Sequence, residues 1–288
     1  MNAWDPTAPC AVPSCVEAFP RVGRARAAAR AGALLALLLA GLAACPFTRL
    51  LPRRAVRLWC RGVVRAAGAR VRVSGAAPGR GGLLLVANHV SWLDVALLAS
   101  VRPARMLAKA EIRRWPVAGR LAAFGAVFID RQRLRALPGT VTGLAELLRG
   151  GAAVAVFPEG SSWCGRAQGR FRPAVFQAAL DAGVPVQPVR LRYRFSDGTP
   201  ATAAAFVGDD TLLASVWRVV SVRGLVAEVD VRPVLGAGSH PDRRALARAA
   251  QPYAADPLHG PAGGGHPEVR RAGARDRRVP VPGASSPA

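Results

Sequence analysis

The sequence predicts an α/β fold: one domain with a mostly buried central sheet flanked by helices, preceded by an N-terminal membrane helix. Three observations carry this. Short apolar runs such as residues 83–87 and 152–157 read as strands buried on both faces. Segments of helical length and periodicity separate them, which favours crossovers over hairpins. Ahead of all of them lies an uncharged stretch, residues 31–47, AGALLALLLAGLAACPF.

In chain order, residues 1–30 read as a flexible basic lead, with Pro6, Pro9, Pro13 and Pro20 followed by Arg21, Arg24, Arg26 and Arg30. Residues 31–50 are assigned to the membrane helix. Its seventeen uncharged residues reach about 25 Å as a helix, at the short end for a bilayer. Arg49, Arg53, Arg54 and Arg57 follow, so basic residues flank both ends and give no orientation. Spanning, lying half-embedded, acting as a cleaved export signal and packing as a buried core helix all stay open.

Residues 51–235 form the predicted domain. Residues 53–67 read as an Arg-rich amphipathic helix suited to a membrane surface, with Val56, Leu58, Trp59, Val63 and Val64 apolar. Strands are expected at residues 71–73, 83–87, 105–108, 126–129, 152–157, 184–193 and 226–234. Helices are expected at 91–100, 115–124, 140–149 and 173–181. Residues 236–288 are read as a short helix, then a disordered tail rich in Pro, Gly and Arg.

Composition narrows the function classes. The net charge is +23, from 40 basic against 17 acidic residues, and Lys109 is the one lysine. Such a balance favours an anionic partner, a lipid surface foremost. The arginine bias, with Ala, Gly and Pro in excess, is equally the mark of GC-rich coding sequence. No nucleic-acid motif is present and aromatic residues are sparse, so a nucleic-acid partner is not expected. Cys10, Cys15, Cys45, Cys60 and Cys164 are odd in number and irregular in spacing, without a Cys-x-x-Cys pair. Neither a metal site nor a disulfide framework is expected, and no cofactor.

One segment stands out for chemistry, Asn88-His89-Val90-Ser91-Trp92-Leu93-Asp94. His89 follows the apolar strand directly, at the carboxyl edge where open α/β sheets place reactive groups. Histidine is the side chain best suited to take a proton near neutral pH. On one continuous helix, residues five apart point about 140° away from each other. The pair therefore meets only if His89 sits in a turn and Asp94 in the first helical turn. Asp94 then orients the imidazole, the role of a triad carboxylate. The plainer alternative is a helix cap, with Ser91 at the N-cap and Asp94 as the acid three residues on.

Three further segments follow: Gly125-Ala-Val-Phe-Ile-Asp130-Arg131, Val156-Phe157-Pro158-Glu159-Gly160-Ser161-Ser162 and Val184-Pro185-Val186-Gln187-Pro188-Val189. With the first, they resemble, in order and spacing, the four blocks of the glycerolipid acyltransferase family that includes 1-acylglycerol-3-phosphate acyltransferases. The resemblance covers about residues 71–193. It implies that His89 is the general base and Asp94 its partner. It assigns Asp130, Arg131, Glu159, Gly160 and Ser161 to acceptor binding, and it makes the fourth block, with Pro188, mainly structural. The donor would be acyl-CoA or acyl carrier protein, and the acceptor a lysolipid at a membrane surface. The expected location is the cell membrane, with the domain facing the cytoplasm.

The acceptor implied first is 1-acylglycerol-3-phosphate. One departure bears on it: where the family commonly has Thr-Arg after Glu-Gly, this chain has Ser161-Ser162. That resembles the lyso-ornithine lipid acyltransferase branch and removes one phosphate ligand, for which Arg166, Arg170 or Arg172 are candidate replacements. Two rivals remain: a hydrolase using the pair on water, although no Gly-x-Ser-x-Gly elbow is present, and a non-enzymatic membrane-binding protein that keeps the fold.

Overall fold

The computed structural model describes residues 8–47, 51–114, 119–120, 125–129 and 134–251. Seven strands form one sheet: β1 (Arg70–Ser74), β2 (Leu83–Ala87), β3 (Arg105–Lys109), β4 (Ala126–Ile129), β5 (Ala153–Val156), β6 (Val186–Phe195) and β7 (Leu225–Val231). Their order across the sheet is β1-β7-β6-β2-β5-β3-β4. Every neighbouring pair is parallel except β6 and β7. The predicted α/β class with a buried sheet is the observed one.

The helices are α1 (Val12–Cys15), α2 (Arg24–Ala44), α3 (Arg53–Ala66), α4 (Asp94–Val101), α5 (Leu137–Arg149), α6 (Phe176–Ala182), α7 (Leu212–Ser221) and α8 (Arg243–Ala250). Alternation along β2 shows how they are layered. Leu83, Leu85 and Ala87 point into a core shared with residues of α2, α3, α4 and α7. Leu84 and Val86 point into a second core with residues of α5, α6 and α8. Successive side chains on a strand face opposite ways, so a strand apolar at all five positions needs a cover on both sides.

β2 is central, with β5 and β6 beside it in parallel. The loops leaving the carboxyl ends of β2 and β5 therefore emerge together. Asn88 fixes the first of them. Its amide donates to the Leu191 carbonyl at 3.0 Å and accepts from the Leu191 N–H at 2.8 Å. The side chain thus extends the β2–β6 ladder by one rung. Pro188 is tolerated in β6 because the β6–β7 pairing begins only at Val189.

Several expectations need correction. The lead is packed where described: Cys10 and Cys15 are buried. The Glu17 N–H donates to Thr202 at 3.0 Å, and the Val22 N–H to the Ser221 carbonyl at 2.8 Å. Proline and arginine content hid this, because the contacts lie in a distant part of the chain. Helix α2 starts at Arg24 rather than near residue 31, and within it Arg30 donates to the carbonyls of Val220 and Val222 at 3.0 and 2.7 Å. Those carbonyls end α7, which the sequence reading did not include.

In α3, Val63 and Val64 face the core and only Leu58 among its large apolar residues is well exposed, so much of this helix covers the sheet. The folded body also continues past residue 235, because Leu246 and Ala247 of α8 lie in the second core. Most of the helix expected at 115–124, and the tail from 252 onward, fall outside the described residues.

Candidate active site

His89 leaves the end of β2, and α4 begins at Asp94. The five-residue separation is bridged by a turn, so both side chains lie on the same side. His89 Nδ1 stands 2.9 Å from Asp94 Oδ2. The same oxygen accepts the N–H groups of Val90 at 2.6 Å and Ser91 at 2.8 Å. Ser91 Oγ in turn meets the Leu93 N–H at 3.4 Å. The helix-cap and orienting readings are therefore not exclusive: one carboxylate oxygen closes the turn and holds the imidazole.

The other oxygen of Asp94 has a partner from the far side of the sheet edge. Tyr193 Oη donates to Oδ1 at 2.5 Å. Asp94 is fully buried and Tyr193 nearly so. A buried carboxylate is costly unless donors surround it, and here two backbone amides, a ring nitrogen and a phenol do so. Burial and the adjacent Asp94 charge push the Tyr193 hydroxyl well above its ordinary range, so it stays a neutral donor. The sequence reading did not single out Tyr193. Its signal was that Val189, Leu191 and Tyr193 alternate onto one buried face, where a phenol needs a partner.

The imidazole plane is fixed as well. Phe157, at the end of β5, stacks on it with ring centroids 4.0 Å apart and planes 8° from parallel. The His89 side chain keeps 23 % of its surface exposed while Asp94 keeps none. The imidazole thus reaches the surface, and the carboxylate bonded to it does not.

Glu159 does not face outward. It is 4 % exposed, its Oε2 accepts the His89 N–H at 2.6 Å, and its Oε1 accepts the Gly169 N–H at 3.0 Å. Burial pushes its carboxyl up to about 8; the two backbone bonds oppose that shift and the Asp94 charge adds to it. Both oxygens are committed to backbone, so this carboxylate braces the His89 turn. The Trp163 N–H bonds the His89 carbonyl at 2.8 Å and the Phe206 N–H bonds that of Val90 at 2.9 Å, completing the brace.

The remaining expected residues divide. Gly160 holds a left-handed turn at φ 81°, which a side chain would strain. Its neighbour Ser161 is half-buried on the same loop. Ser162 donates to the Phe206 carbonyl, so it is turned to backbone. Arg166 pairs with Glu17, and Arg170 and Arg172 are exposed. Asp130 and Arg131 lie outside the described residues.

A buried carboxylate, a partly exposed histidine and a braced turn thus stand together at the head of β2, an arrangement able to accept a proton. Residues 70–192 match a family model described as Acyltransferase. The chain is 42 % identical over 207 residues to a lyso-ornithine lipid O-acyltransferase of Pseudomonas aeruginosa, covering 70 % of this chain and 77 % of that protein. It is 38 % identical over 204 residues to a 1-acyl-sn-glycerol-3-phosphate acyltransferase of Neisseria meningitidis, covering 70 % and 78 %. The crystal structure of the 1-acyl-sn-glycerophosphate acyltransferase PlsC from Thermotoga maritima shares the fold, with a TM-score of 0.53 and 19 % identity over 77 % of this chain and 92 % of that one. With the site built on the first block, and with relatives of this similarity over this length, the chain belongs to the Acyltransferase family.

Proposed function

We propose that this O-acyltransferase moves a fatty acyl group from a thioester, acyl-CoA or acyl carrier protein, to the free hydroxyl of a lysolipid. The observation that carries the reading is the His89–Asp94 pair at the head of β2, 2.9 Å apart. With Nδ1–H donated to Asp94, His89 Nε2 is the atom that accepts the substrate proton. The hydroxyl oxygen attacks the thioester carbonyl carbon as its proton passes to Nε2. The tetrahedral intermediate then expels the thiolate, which recovers the proton from Nε2. An ester and a free thiol result. The thioester supplies the activated acyl group, so this scheme calls on no cofactor.

Gly160, Ser161, Asp130 and Arg131 are proposed on the acceptor side. Glu159 is proposed as a positioning residue, because both its oxygens are held by backbone amides. The acceptor is read first as lyso-ornithine lipid. Ser162 stands at the position where the family commonly has an arginine, and its hydroxyl is directed to a backbone carbonyl. That block then offers no cation to a phosphate. A second reading, 1-acylglycerol-3-phosphate giving phosphatidic acid, is favoured by the similarity to the Neisseria enzyme.

A membrane setting is part of the proposal. The helical stretch Arg24–Phe47 is 24 residues long, apolar enough to cross a bilayer, and mostly exposed. Leu35, Leu39, Phe47, Leu51 and Leu58 present apolar surface on α2, α3 and their junction. A core helix hides such residues, so lipid is the natural cover. The domain is placed on the cytoplasmic side, where acyl thioesters are made.

The test is an assay of the full chain in lipid vesicles, with each thioester donor and with lyso-ornithine lipid, 1-acylglycerol-3-phosphate or no acceptor. Thiol release that depends on a lysolipid is expected. Fatty acid release of equal rate without any acceptor would establish a hydrolase instead.

A further inference from the structure

Three of the five cysteines converge although the sequence separates them widely. Cys10 precedes α1 and Cys15 is its last residue, both in the packed lead, and Cys164 lies in the loop after β5. All three are buried, and their Sγ atoms lie within 4.8 Å of one another. We propose that Cys10, Cys15 and Cys164 form a binding site for one thiophilic d10 cation of the Zn(II) or Cu(I) class, which ties the lead to the loop that braces His89.

The geometry suits that class. Thiolates bind such ions at about 2.3 Å, so three of them around one ion stand about 3.8–4.0 Å apart. Closing from the present spread takes less than about 1 Å, within reach of side-chain rotation. Sulfur ligands select these ions over Mg(II) or Ca(II), which take oxygen. A disulfide would consume two of the sulfurs, leave the third buried and unused, and require an oxidant. One ion engages all three.

The location gives the ion something to do. Cys164 directly follows Trp163, whose N–H holds the His89 carbonyl. The position of a Cβ at Gly165 lies 3.6 Å from Val90, so this loop packs on the catalytic turn. On the other side, Glu17 of the lead pairs with Arg166. An ion at the three sulfurs would fasten the lead to the loop from the buried side, opposite the exposed Glu17–Arg166 ion pair. Such a role is structural, so binding is measured without reference to acyl transfer.

The experiment uses the full chain, reduced under anaerobic conditions in detergent. Zn(II) and Cu(I) are each titrated against a chromophoric chelator, and Co(II) serves as an optical probe. The expected result is one equivalent of Zn(II) or Cu(I), thiolate-to-Co(II) charge-transfer absorption, and a raised Tm on loading. The Cys45→Ser and Cys60→Ser variants should bind as the natural chain does, whereas Cys10→Ser and Cys164→Ser should lose the equivalent. Because a serine at a buried site can disturb folding, the natural chain is also alkylated slowly with and without the metal. Protection confined to Cys10, Cys15 and Cys164 supports the site. Absence of binding, binding unchanged in Cys164→Ser, protection of Cys45 and Cys60 alone, or a disulfide joining two of the three thiols in freshly isolated protein would overturn it.

Discussion

Tyr193 Oη lies 2.5 Å from Asp94 Oδ1, so the carboxylate that orients His89 is held from a strand almost a hundred residues further along the chain. Tyr193→Phe removes this donor, together with the contact of the same hydroxyl to Ser91. One oxygen of a buried carboxylate is left short of a partner, which costs about 1–3 kcal/mol of stability. In catalysis we expect kcat to fall about tenfold, near 1.4 kcal/mol, with KM nearly unchanged. Steady-state kinetics beside a melting curve test this. An unchanged kcat would mean that the amides of Val90 and Ser91 orient Asp94 unaided.

His89→Ala should reduce transfer by on the order of 10²–10⁴ and leave the fold and lipid binding intact. Asp94→Asn should cost a comparable factor for a different reason. Its amide nitrogen is a donor placed among the donors of His89, Val90, Ser91 and Tyr193, so the imidazole loses its fixed orientation. Single-turnover rates with vesicle-binding controls separate the two. Full activity of His89→Ala would rule out the proposed base.

Glu159 makes a prediction about pH. Its folded-state value, about 8, lies above the ordinary carboxyl value of 4.5. The stability it contributes is therefore fully present below about 4.5 and is lost as pH rises through about 8, because the unfolded chain releases that proton more readily. Glu159→Gln cannot titrate. Below about pH 8 the amide stands in for the protonated acid, with one donor turned to a backbone N–H in either case. Between pH 5 and about 8 the melting temperature of Glu159→Gln should decline less steeply than that of the natural chain. Parallel slopes would place the Glu159 proton elsewhere.

Ser162→Arg tests the acceptor. The serine now donates to the Phe206 carbonyl. An arginine there restores a phosphate ligand, so use of 1-acylglycerol-3-phosphate relative to lyso-ornithine lipid should rise, by roughly tenfold for one charge-assisted contact. Competition between the two lysolipids in one vesicle measures the ratio directly. A ratio that does not move would show that position 162 lies away from the headgroup.

Much of the sheet is legible because β2 and β5 are apolar without interruption, the composition that a strand covered on both faces favours. Residues 91–100 were read as helix, whereas α4 starts at Asp94, because the carboxylate at its head draws residues 89–91 into a turn. The composition of the lead suggests flexibility, whereas its described residues are packed. Proline and arginine content describes local preference, while Cys10, Cys15 and Arg30 are held by residues beyond position 160. Local patterns carry no information about such distant partners.

For the site, the sequence by itself determined that a histidine ends a buried strand and that a carboxylate stands five residues later. Both follow from strand length, turn chemistry and spacing. Only the tertiary structure decided that Tyr193 completes Asp94, that Phe157 stacks on His89, and that Glu159 turns inward to backbone amides. Those contacts join β2 to β5 and β6, which flank it in the sheet but lie far from it in sequence. The same holds for Cys164 beside Cys10 and Cys15. Spacing rules find ligands that are close along the chain, whereas burial brings together any groups that share one side of a core.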